Sequence, residues 1–206
     1  VGSRRLRVTV SGPGGHSWGD FGRPNAIHAA SEIIAELAHI PVTQTPKTSL
    51  SVGTISGGIS VNSIPPSCTF DLDSRSVSAA ALTRLSERID RVLDQPRPGV
   101  SVKIEVIGDR PAGIVPVDSA IVQNAIAILT ALGLPAIADA SSTDANIAIS
   151  RGIPAVCIGL TSGGNVHRED EFINLQPLPD GLRQLTALAI LTAKTLAGSG
   201  TERQRN

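Results

Sequence analysis

The chain has 206 residues, equal numbers of basic and acidic side chains (18 each) and an apolar content of 41 %. That is enough apolar material for one large or two small domains, and the neutral charge balance argues against nucleic acid or a membrane surface as partner. Aromatic residues make up only 2 %, too few for base-stacking platforms, and no apolar run reaches the roughly 18 residues of a membrane span.

The first residues, VGSRRLRVTV, alternate like a strand and lack the apolar stretch of a secretion signal. Cys68 and Cys157 lie far apart, each within an apolar strand-like pattern. Both are expected to be reduced core residues of a cytoplasmic protein.

In RLRVTVS, Leu6, Val8 and Val10 share one face of a strand. The loop SGPGGHSWGDFGRPNAI follows at 11–27 and presents His16 among five glycines. Pro24 suits the first turn of a helix whose stripe is Ile27, Ala30, Ile34 and Leu37, widened by Ile33 and ended by Pro41. Two more alternating strands come next: SLSVGTI, with Leu50, Val52 and Thr54 on one face, and SCTFDLDS, with Cys68, Phe70 and Leu72. Ser78 can cap a second helix with the stripe Leu82, Leu85, Ile89 and Leu93, which Pro96 and Pro98 stop. SVKIEVI closes the series with Val102, Ile104 and Val106.

The order β-α-β-β-α-β over 4–108 predicts a ferredoxin-like sandwich, with an antiparallel sheet covered by helices on one face only. Its edge strands and an exposed helix offer routes to self-association. This first domain is expected to span 1–110, with GDRPAG at 108–113 as a linker.

The pattern then changes. Residues 118–132 predict a helix through Ile121, Ala125, Ile128 and Leu132, and ASSTDANIAISRG predicts a short helix ending at Gly152. IPAVCIG at 153–159 is apolar without alternation, as in a strand buried on both faces. After the loop LTSGGNVHREDE, a long helix at 178–197 carries Leu182, Leu185, Leu188 and Leu191. A second domain is thus expected at 111–198, and a disordered tail at 199–206. The fold class is α/β of the α+β kind: a ferredoxin-like domain plus an incomplete α/β segment. So few strands cannot complete a doubly covered parallel sheet. With no methionine in the chain, the missing part is expected before residue 1.

Of the four histidines, His28 and His39 fall within the first helix and are expected at its surface. His16 and His167 sit in loops at element ends, where functional groups concentrate on a rigid scaffold. His167, with Glu169, Asp170 and Glu171 close by, could belong to a zinc site. Consecutive loop carboxylates are more often solvated, and a catalytic zinc needs three protein ligands. SSTDAN at 141–146 reads equally as a helix start capped by Ser142 or Thr143. A Ser-His-Asp triad lacks a nucleophile elbow, and GPGG lacks the Lys-Ser/Thr of a phosphate loop.

Six segments in register carry a resemblance: GPGGHS…PNAI, GTISGGISVNSIP, FDLDSRS, STDAN, GIPAVCIG and SGGNVHREDEF. From about residue 5 to 198 the chain resembles the zinc metallopeptidases and amidohydrolases of the peptidase T, acetylornithine deacetylase, succinyl-diaminopimelate desuccinylase and carboxypeptidase G type. The resemblance implies a ferredoxin-like lid or dimerisation domain followed by the closing part of a catalytic domain. Its activity would be hydrolysis of a peptide or N-acyl amide bond near a free carboxylate, with two zinc ions as cofactors and a homodimer formed through the lid.

It further implies that His16 acts catalytically, reaching the partner subunit's active site to donate to the oxyanion. Asn62, Arg75, Thr143, Asp144 and Asn146 would contact substrate. His167 would be a metal ligand, supported by Glu171 in the shell behind it. The other metal ligands and the glutamate base would lie before residue 1, so this chain by itself is expected to be inactive. The long WGDFG link and the STDAN variant lean toward a peptidase T-like branch, and Arg168 stands where Thr is frequent in the family. The competing reading is a non-catalytic dimerisation or small-molecule-binding module of the same fold.

Overall fold

In the computed structural model residues 1–203 are described, with side chains through Thr195. The chain forms two compact units, Val1–Gly113 and Ile114–Asn206.

The first unit contains β1 (Gly2–Ser11), β2 (Gly15–His16), α1 (Ala26–Ala38), β3 (Thr48–Gly57), β4 (Ser63–Ile64), β5 (Ser67–Ser76), α2 (Ala79–Leu93) and β6 (Ser101–Arg110). Four of these strands make an antiparallel sheet in the order β3-β5-β1-β6. This is the ferredoxin-like arrangement the alternating patterns predict. The register places Leu6 opposite Leu72, Val8 opposite Phe70 and Val10 opposite Cys68. All six are 2 % exposed or less and form one core with Ala26, Ala30, Ile33, Leu37, Leu85, Ile89 and Leu93 of the helices.

The opposite sheet face carries charge. Arg7 donates to Asp71 through Nε and Nη2, both at 2.9 Å, and Arg5 donates from Nε to Asp73 at 2.9 Å. The Arg7 guanidinium, with help from Thr54, holds the Asp71 carboxyl below its usual range. Burial pushes the Cys68 thiol up, so it stays protonated and unreactive in the core.

Three local differences from the sequence reading have physical causes. Helix α1 starts after Asn25, whose side chain accepts from the N–H groups of Ile27 and His28, so Pro24 precedes the cap instead of entering the first turn. Between Val52 and Thr54 the register of β3 shifts, which turns Thr54 toward Asp71 and Ile55 toward the Phe70 side. The extra residue is Gly53, and such a bulge reverses the faces of every residue beyond it. On β6, Ile104 and Val106 lie in register with core residues but remain 36 % and 55 % exposed, because the helices pack chiefly on β1, β3 and β5.

The second unit contains α3 (Ala120–Ala131), α4 (Ala145–Ser150), β7 (Gly163–Gly164), β8 (Phe172–Ile173) and α5 (Leu178–Arg203). Ala125 and Ile128 of α3 pack on Leu188 of α5, with Ile121, Leu132, Val156, Ile158 and Ala187 around them. Residues 153–159 are not in a strand. A strand needs a ladder partner, and among the described residues this segment has none. Cys157 within it is exposed, contrary to the expected core position. Of the predicted α5 stripe only Leu188 is buried; Leu182, Leu185 and Leu191 are exposed. Helix α5 continues through Arg203, so residues 199–203 are helical where a disordered tail is predicted. Residues 204–206 of that predicted tail lie outside the described residues.

Candidate functional site

The two loops at one end of the first unit are tied together. Strands β2 and β4 pair with Gly15 opposite Ile64 and His16 opposite Ser63. Ser17 N–H donates to the Asn62 carbonyl at 3.0 Å. His16 and Asn62, taken from sequence segments 46 positions apart, are thereby held side by side on the surface.

Local hydrogen bonds fix the imidazole. The backbone N–H groups of Trp18 and Gly19 both donate to His16 Nδ1, at 3.2 Å each. A neutral ring whose Nδ1 accepts must carry its proton on Nε2. His16 is therefore oriented as an Nε2–H donor. Asp20 organises the turn: its Oδ2 accepts from His16 N–H at 2.8 Å, and its Oδ1 pairs with Arg23 at 2.9 Å. Two glycines permit the approach. Gly14 has φ +69°, and a Cβ on Gly15 (φ +152°) would stand 2.8 Å from Asp20 Oδ2. Gly12 has no such demand, since a Cβ there would make only ordinary contacts. Asn62 Oδ1 accepts from Ser60 Oγ at 2.9 Å, leaving its amide N–H groups as outward donors.

Arg75 does not join this pair. It lies on β5 opposite Ser3 and Ser49, whereas the His16 loop adjoins the Ser67 end of that strand. Eight residues of strand separate the two ends, about 25 Å at the usual rise. Arg75 Nε is held by Asp73 Oδ2 at 2.6 Å, and Asp73 is held in turn by Arg5. Asp73 thus orients Arg75.

In the second unit, His167 lies in the turn between β7 and β8 and is exposed. Its φ is +66° and that of Asn165 is +57°, a left-handed backbone uncommon for side chains other than glycine. Glu171 Oε2 accepts from the His167 backbone N–H at 3.2 Å. It therefore shapes the turn through the main chain. Asp170 is bound to Asn165 and Arg168. Thr143, Asp144 and Asn146 lie at the start of α4, where Asp144 is the cap residue. Asn146 is 3 % exposed, and its Oδ1 accepts from Thr143 N–H at 2.8 Å. It holds the loop closed, while Asp144 is exposed.

Among the described residues no three His, Cys, Asp or Glu side chains converge to hold a metal ion. A catalytic zinc takes three protein ligands, so His167 cannot hold one by itself and these residues do not fit a zinc pair. No helix among the described residues is long and apolar enough to cross a membrane. The sequence reading overlooks Asp20, the hub of the His16 turn. Its signal is an aspartate flanked by Gly19 and Phe21-Gly22, with Arg23 as the one other ionised side chain of the loop.

Residues 1–100 match the peptidase dimerisation domain family. Several solved structures share the fold. A tripeptidase from Staphylococcus aureus subsp. aureus Mu50 aligns at 18 % identity and TM-score 0.66, over 91 % of this chain and 50 % of its own. An aminopeptidase PepT from Bacillus cereus ATCC 10987 aligns at 18 % identity and TM-score 0.63, over 93 % and 52 %. An aminobenzoyl-glutamate utilization protein from Klebsiella pneumoniae aligns at 23 % identity and TM-score 0.59, over 73 % and 40 %. The chain spans about half the length of the first two and less of the third.

Proposed function

We propose, from the match of residues 1–100 to the peptidase dimerisation domain family, that the protein works in a zinc-dependent hydrolase of peptide or N-acyl amide bonds, of the peptidase T-like kind. The first unit is the lid through which two copies pair. The second unit contributes to the catalytic domain, with His167 as one zinc ligand. The remaining ligands and the general base come from outside the described residues. The protein acts in the cytoplasm, in keeping with two free cysteines.

The observation that carries this reading is the His16 turn. Its imidazole is not packed into the core; it is exposed, with Nδ1 saturated by two backbone donors and Nε2–H directed away from them. A preset donor of this kind, with the Asn62 amide beside it, can stabilise the oxyanion that develops on a scissile carbonyl. Acting across the dimer, it would complete the partner subunit's active site. Arg75, braced by Asp73, is suited to a substrate carboxylate. The family resemblance likewise assigns Thr143 and Asp144 of the second unit to substrate contact.

Loss of one oxyanion donor lowers kcat by about 100- to 1,000-fold. In the complete enzyme, His16→Ala should show that loss with zinc content unchanged, whereas His167→Ala should lose zinc. The purified 206-residue chain should show no turnover of dipeptides with added zinc, and turnover would refute that part of the reading. Sedimentation should find a dimer; a monomer at high concentration would remove the trans role of His16.

The competing reading is a non-catalytic dimerisation or small-molecule-binding module, in keeping with the match of residues 1–100 to a dimerisation domain. Unchanged zinc content in His167→Ala would favour that competitor.

A further inference from the structure

In the first unit the large apolar side chains most open to solvent are Val61 (102 %), Phe21 (89 %), Trp18 (88 %) and Ile59 (79 %); the next, Ile55 and Val106, are at 55 %. All four lie in the two loops joined by β2 and β4, two on each loop. They flank the two polar donors along the chain: Trp18 and Phe21 follow His16, and Ile59 and Val61 precede Asn62.

Neither loop is a loose tether. Phe21 N–H donates to the Trp18 carbonyl, Asp20 N–H to the His16 carbonyl and Arg23 N–H to the Asp20 carbonyl. In the other loop Ser63 N–H and Oγ both donate to the Ser60 carbonyl. Holding four large apolar groups in water on braced backbone forgoes the burial each would gain in a core, and such patches mark interaction sites.

We propose that Trp18, Phe21, Ile59 and Val61 form an apolar specificity clamp that grips an uncharged, aliphatic or aromatic side chain next to the scissile amide, while His16 and Asn62 address its carbonyl. The inference rests on the hydrolase reading and names its substrate class. Charge selects the occupant. In residues 11–22 and 56–66 Asp20 is the only acidic or basic side chain apart from His16, and Arg23 already pairs with it. The tip therefore offers no partner to a charged substrate side chain, and enclosing one there would strip its water without compensation. An apolar side chain instead covers the exposed rings, and Trp and Phe supply large, stiff contact area at low entropic cost. The clamp and the donors share one turn, because Trp18 N–H itself bonds the imidazole. Seating the side chain and aligning the carbonyl are thus one geometric event.

The test uses the complete zinc-loaded enzyme and ketomethylene analogues of Ala-Leu, Ala-Phe, Ala-Asp and Ala-Lys, in which CH2 replaces the scissile N–H. Trp18 emission is isolated as the difference between wild type and Trp18→Phe. The expected result is a blue shift and about tenfold or tighter binding of the Leu and Phe analogues over the charged pair. Calorimetry on Trp18→Ala/Phe21→Ala should bring the four analogues to near parity, and Trp18→Phe should keep the preference. Equal affinity of wild type for all four, with their parent dipeptides still hydrolysed, overturns the clamp and leaves the hydrolase reading standing. A double variant that keeps the preference but alters sedimentation also overturns it, since the tip is then a subunit contact. If none of the analogues binds and no parent dipeptide is cleaved, the hydrolase reading fails and the clamp with it.

Discussion

Phe70, Leu6, Ile33, Leu37 and Ile89 of the first unit are at most 1 % exposed, whereas the second unit buries, among its described large apolar residues, only Ile128 and Leu188. Ile114, Ile137, Leu175 and Val166 of the second unit stand 66–82 % exposed. The first unit closes its core with its own strands and helices, because β1, β3 and β5 each find a neighbour in register and a helix above them. In the second, α3 and α5 make one helix pair around a small cluster. The apolar run at 153–159 contributes Val156 and Ile158 to that cluster without forming a ladder. A hydrophobic pattern states what a segment can bury; whether it is buried depends on which partners the fold supplies.

This contrast can be broken or sharpened by mutation. The largest effect is expected from Phe70→Ala, which empties the centre of the first core and should cost about 3–5 kcal/mol, read as a lower urea midpoint for the first unit. Leu188→Ala should cost less, about 2 kcal/mol, because its neighbours are half exposed and can relax into the space. If the two losses proved equal, the second unit would be as tightly packed as the first. Hydrogen exchange should agree, with β1 and β5 protected far longer than α3 and α5.

The smallest effect concerns the edge of the first core. Glu36 of α1 accepts a bidentate pair from Arg97 at 2.8 Å, and this guanidinium holds its carboxyl below the ordinary value. A depressed carboxyl contributes stability above its unfolded value and loses that contribution as pH falls through its folded value. Glu36→Gln should therefore cost about 0.5–1 kcal/mol near neutrality, a partly exposed pair being weak. The difference from wild type should vanish on acidification below the usual carboxylate range. A difference that persisted there would assign the effect to packing and not to charge.

The candidate site was less legible than the fold. The Gly-Gly-His run at 14–16 and the loop around His167 point to two imidazoles that the structure leaves exposed. Asp20 was invisible as a hub because its role comes from a turn that returns it to the His16 backbone. Asn146 reads as a loop residue open to substrate, yet a side chain that caps Thr143 must turn inward. Arg75 and His16 look like members of one set along the sequence, but strand length sets them at opposite ends of β5.

Local sequence was sufficient for what depends on period: the β-α-β-β-α-β order, the inner face of β1 and β5, and the buried stripe of α2. Those follow from two-residue and 3.6-residue repeats that only one secondary structure can satisfy. Tertiary structure decided what depends on neighbours: the face reversal at Gly53, the exposure of Ile104 and Val106 on an uncovered edge strand, the fate of residues 153–159, and the meeting of His16 with Asn62. Each of these is fixed by which segment lies alongside, and contacts between distant parts of the chain leave no period in the sequence for a reader to find.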